Sequence, residues 1–135
     1  MKKLLLIILG IFCSISLYSA EVYEFRTVGF ASKFYNEQLQ YWEDWSDVQP
    51  SNMRMIINDT YHIVIIYSPQ TQIYKITEHV NNFYDSDGDY NMIYKFIDQD
   101  GDRGTMKLLM RTTGQSELYI MFNNVKWCYI VERKY

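Results

Sequence analysis

From Glu21 onward apolar and polar residues alternate at short spacing, in runs rich in Tyr, Ile, Val and Phe. Successive side chains of a strand point to opposite faces, so a period of two predicts β-strands. Residues 22–28 read as a first strand, and residues 53–57 lead through Asn58-Asp59 into the β-branched run 61–67, which reads as a hairpin. Beyond the break at Ser68-Pro69-Gln70, the segments 72–77, 90–97, 105–111, 118–122 and 127–131 complete the set. Helix-compatible residues are confined to 37–45, which suits one or two helical turns or an irregular strand.

The connections between these segments are too short for parallel crossovers, which take about a dozen residues or more, so the sheet is expected to be antiparallel. Seven or eight short strands in sequence predict an all-β antiparallel meander that closes as a small barrel, with a β-sandwich as the alternative. One connection is longer. Residues 31–50 carry Trp42 and Trp45, and such a segment is expected to cap one end of the barrel or plug its opening.

The start of the chain differs in kind. Met1-Lys2-Lys3 is followed by an apolar run over 4–12, broken only by Gly10, and by small or neutral residues ending at Ser19-Ala20. This is the layout of a secretory signal peptide, too short for the ~20 residues that a spanning helix needs. Residues 1–20 are therefore set aside as signal and 21–135 taken as a single domain, periplasmic or secreted, with no stable membrane insertion after signal removal. Phe12 stands where lipid modification of Cys13 would require a small residue.

Without the signal, 13 − 2 = 11 basic residues face 16 acidic ones, a net charge near −5. The basic residues are scattered, which argues against nucleic acid as a partner. Cys128 is then the lone cysteine, so no internal disulfide forms; its strand-like setting reads as a small buried hydrophobe.

Three features are candidates for chemistry. Asp85-Ser86-Asp87-Gly88-Asp89 and Asp98-Gln99-Asp100-Gly101-Asp102 share the pattern D-x-D-G-D. Asp-Gly is a hairpin-turn signal, whereas calcium would need six to eight oxygens from Asp85, Asp87 and Asp89 or from Asp98, Asp100 and Asp102. The glycine falls at position 4 rather than 6 and no Glu stands at position 12, so an EF-hand is excluded. A joint site is disfavoured because successive turns of a meander lie at opposite ends of the sheet. Tyr35, Tyr41, Trp42 and Trp45 could stack on a sugar or line a barrel mouth, or else fill the core. His62 and His79 have no ligand or base partner at a recognisable spacing, and no nucleophile elbow occurs.

The order of a W-x-x-W segment at Trp42 and Trp45, an isoleucine-rich strand ending in Tyr67-Ser68, Gln72-Ile73-Tyr74, D-x-D-G-D and a closing Trp127-x-Tyr129 resembles small secreted lipocalin-like (calycin-type) proteins of Bacteroidota and their crAss-like phages. The resemblance implies a lipocalin-like barrel and carries no assigned activity or catalytic residue. The expectation is an exported, non-enzymatic barrel without cofactor that binds a small ligand or a protein. A structural, assembly or inhibitor protein is the rival, and a hydrolase the third reading.

Overall fold

The computed structural model describes residues 22–134; the segment read as a signal peptide, with Cys13, lies outside them. Ten strands follow in chain order: β1 (Val22–Asn36), β2 (Tyr41–Trp42), β3 (Gln49–Pro50), β4 (Arg54–Asn58), β5 (Ile63–Ile66), β6 (Gln72–Tyr84), β7 (Tyr90–Asp98), β8 (Arg103–Met110), β9 (Ser116–Met121) and β10 (Val125–Lys134). Among the described residues there is no helix. Neighbours run β10-β9-β8-β7-β6-β5-β4-β1, and β1 also pairs antiparallel with β10 from Glu24↔Lys134 to Phe34↔Val125. That last pairing closes an eight-stranded antiparallel barrel, and the sandwich alternative falls with it.

Alternation along each strand decides what the barrel encloses. Met55, Ile66, Phe96, Met106, Leu118, Ile120 and Val131 face inward and are almost fully buried. Each large apolar side chain so buried contributes about 1.5–3 kcal/mol relative to exposure.

Three of the hairpin turns have one build. In each, the first residue's N–H donates to the fifth residue's carbonyl and the fourth residue's N–H to the first residue's carbonyl: Asp85 with Asp89 and Gly88, Asp98 with Asp102 and Gly101, Arg111 with Gln115 and Gly114. The fourth residue takes φ of 81°, 85° and 93°, the left-handed value that glycine adopts without steric cost. The D-x-D-G-D stretches are therefore tight turns. The first caps the end of the barrel that also carries the β4–β5 and β8–β9 connections, and the second caps the other end.

β6 is longer than its neighbour on one side. It pairs with β7 from Tyr74 to Tyr84, but with β5 only from Gln72 to Lys75. From Thr77 to Tyr84 the other edge of β6 has no strand against it among the described residues, and bulges at Ile76/Glu78 and His79/Asn81 twist it.

The long first connection does not plug the barrel. Residues 37–40 form a turn with Gln40 at φ 56°, and the chain returns antiparallel beside β1 through β2, β3 and isolated backbone bonds from Glu43 to Phe34 and from Ser46 to Ser32. Of the two readings of 37–45, the irregular strand is the one found. Between β2 and β3 the chain straps the outer wall: Trp45 stands edge-on to Tyr119 of β9 at 5.8 Å, and Val48 lies over Gly29 and Ile130. The expectation that Trp42 and Trp45 close an end is corrected, because hydrogen bonding to β1 holds this segment along the barrel wall, with Trp45 against the outer face.

Candidate functional site

Rings close the barrel at one end, and a recess opens between β5 and β6 towards the other. At the filled end the rings of Tyr74, Phe96, Phe122 and Trp127 form an edge-to-face chain, with successive centroids 5.0, 5.3 and 5.5 Å apart. Gln72 donates to the Tyr129 hydroxyl at 3.3 Å and accepts from the Tyr74 hydroxyl at 2.6 Å, so both buried phenols are satisfied. Burial pushes both phenols above the ordinary tyrosine range. The plug assigned to Trp42 and Trp45 is thus supplied by Phe122 and Trp127.

Towards the opposite end the lumen holds a cavity of about 520 Å³. Its walls are Ile57, Val64, Ile76, Met106, Leu108 and Leu118, with the ring of Tyr94 among them. The mouth opens where β6 parts from β5 and is edged by Asn58 at the end of β4, by Asp59 and His62 of the β4–β5 connection and by Thr77, Glu78 and His79 of β6. His62 itself holds φ 56°, a value uncommon for a residue with a Cβ. His79 lies across from Tyr94 with ring centroids 5.0 Å apart, and its Nε2 is 2.6 Å from Asn82 Oδ1. Because an amide oxygen only accepts, this bond makes Nε2 the donor. Glu78 is ion paired with Lys95 at 3.3 Å. Burial, with Asp59 next, raises the Tyr94 hydroxyl above its ordinary range.

A second constellation lies outside, under the strap. Glu117 is buried although it points outward from β9. Its carboxylate accepts from Arg111 and, at 2.9 Å, from the Tyr119 hydroxyl, with the Cys128 thiol 4.0 Å away. Burial alone would raise the Glu117 carboxyl, but the guanidinium and the phenol outweigh it and hold it below the usual carboxylate range. Burial pushes the Cys128 thiol up to about 11. As expected of it, Cys128 is buried, but against the strap rather than in the lumen.

The acidic triads form two separate groups, Asp85 with Asp87 and Asp89, and Asp98 with Asp100 and Asp102; within each, ligand atoms lie within 4.8 Å of one another. The structure does not bring the six together. Asp85 Oδ1 accepts the N–H groups of Asp87 and Asp89, and its Oδ2 accepts the Asn91 amide. Asp98 Oδ1 likewise accepts from Asp100 and Asp102. Asp89 accepts from Thr112 N–H at 2.9 Å. These bonds aim N–H donors at the oxygens a cation would need.

Tyr35 and Trp42 meet at 5.4 Å, with Lys126 4.2 Å over the Trp42 ring; Tyr41 is exposed, and Trp45 sits apart on Tyr119. None of the four lines the cavity. Sequence reasoning missed the residues that do. Their inward phase was legible, but nothing in Met106, Leu108 or Leu118 distinguishes a wall from a filled core.

The described residues form a closed eight-stranded antiparallel β-barrel, a form that fits the lipocalin-like expectation. No family model matches the chain, nor does any curated protein or any solved structure.

Proposed function

We propose that this chain is an exported, non-enzymatic barrel that binds a small apolar ligand in the lumen. The observation that carries the reading is the cavity of about 520 Å³, within the size range of small-molecule sites, apolar in its depth and polar only at its mouth. The apolar interior also supports a barrel that stays out of the bilayer, since membrane barrels carry their apolar band outside.

The test is titration with N-phenyl-1-naphthylamine, a neutral apolar fluorophore. Saturable fluorescence that is lost in a Leu108→Trp variant with an unchanged melting temperature supports the reading. Absence of binding to the unaltered protein overturns it, as does undiminished binding to that variant.

A second reading, an assembly or partner-binding role, is favoured by the unpaired edge of β6, where Val80, Phe83 and Tyr84 are exposed, Tyr84 by 74%. Concentration-dependent sedimentation, abolished by a Val80→Lys substitution, would support it.

A further inference from the structure

The cavity's mouth is uneven in charge, and this bears on what enters. Two carboxylates edge it, Asp59 and Glu78, and no lysine or arginine lines the cavity. Glu78 is neutralised by Lys95, whereas no ion pair engages Asp59 among the described residues. Burial raises the Tyr94 hydroxyl above its ordinary range, and the nearby Asp59 adds to the rise. That hydroxyl's own contact is weak, 3.6 Å to the Met92 sulfur. At the mouth the rings of His79 and Tyr94 lie against each other, and the face of a tyrosine ring attracts a cation electrostatically. The chain as a whole is acidic, with a formal net charge of −3.

We propose that the lumen selects ligands with an apolar body and an ammonium head, held by Asp59 and the Tyr94 ring, over carboxylate-headed ligands of equal length. A carboxylate at this mouth would face Asp59 with no cation in the cavity to meet it. An ammonium finds a counter-charge and an aromatic face together. The inference rests on the lumen being a ligand site, and the experiment separates the two.

Decylamine, decanol and decanoate are compared as competitors of bound N-phenyl-1-naphthylamine at pH 8 and low salt, where the alkylamine stays charged. Decylamine should displace the fluorophore at about one-tenth the concentration of decanoate, with decanol between them, and the ratio should shrink as salt screens the rim. In Asp59→Asn the ratio should fall towards one, while Glu78→Gln, which frees Lys95, should move it much less than Asp59→Asn does. If the fluorophore never binds the unaltered protein, the lumen is not a site and both readings fall. If it binds and decanoate competes as well as decylamine, or if Asp59→Asn keeps the full ratio, the head-group inference alone is overturned.

Discussion

Arg111 grips Glu117 on the outer wall, and the same guanidinium reaches Asp89 at 3.4 Å. One side chain thereby ties the β8–β9 turn to the β6–β7 turn beside the cavity end. Replacing Arg111 by Met leaves Glu117 buried with its charge unmatched. The expected loss is about 3 kcal/mol, the lower end of what stranding a buried charge costs, read from urea midpoints. Replacing Glu117 by Gln, which keeps the Tyr119 contact, should cost less.

Acid acts on the same group. The folded Glu117 carboxyl lies below its ordinary value of 4.5, so its contribution is complete above that pH and is lost as pH falls through the folded value. A melting-temperature series from pH 6 to pH 3 should therefore decline more steeply for the unaltered protein than for Glu117→Gln. Equal slopes would show that Glu117 contributes nothing to the acid limb.

The alkaline limb has the opposite sign. Cys128 is raised from 9.0 to about 11, and Tyr74, Tyr119 and Tyr129 lie above 10.0. Groups held neutral by burial contribute stability that is present below their unfolded values and lost as pH rises through the folded ones. Stability should fall between pH 9 and 11, and Cys128→Ser should flatten the early part. Trp45→Ala removes the ring over this wall, and Cys128 should then react faster with a thiol reagent at pH 8 in the still-folded protein.

Two glycines separate crowding from backbone strain. A Cβ on Gly104 would lie 2.5 Å from the Met121 carbonyl oxygen and 2.5 Å from the Phe96 ring, so Gly104→Ala must displace the filled end of the barrel. A cost of about 1–3 kcal/mol is expected, as for overpacked cores. Gly101 has open space around it but φ of 85°, and Gly101→Ala should cost about 1–2 kcal/mol for the left-handed backbone alone. Chemical denaturation of the two variants gives the comparison.

For the acidic turns, melting in calcium and in chelator should give the same temperature, because Asp85 and Asp98 already accept two backbone N–H groups each. Asp98→Ala should lower stability by roughly 1 kcal/mol in either condition, the worth of the lost turn bonds. A rise specific to calcium would show that a triad holds the ion.

What the sequence made legible followed from local chemistry. Asp-Gly names its own turn, and the thirteen-residue step from Asp85 to Asp98 spans one strand and one turn. The strand phase was harder around 63–66, because Ile56, Ile65 and Ile73 are register partners on the outer wall while Val64 and Ile66 point inward. Apolar residues on both faces erase the alternation. The strap was illegible for a different reason: Trp45 is fixed by Tyr119, far along the chain, and no local pattern encodes that meeting. The cavity is a missing volume, which leaves no residue of its own to read.

The seam between β1 and β10 also governs time and connectivity. Glu24 and Lys134 are register partners, so the earliest and latest strands become neighbours only after the whole chain is available. Pairings of such long sequence separation make folding slow, on the order of milliseconds to seconds. They also bring Val22 and Lys134, the first and last described residues, close to each other near the cavity rim. A short linker across that seam should let the ring be cut at the Thr113-Gly114 turn instead, yielding a circular permutant with the same barrel and a different order of strand synthesis.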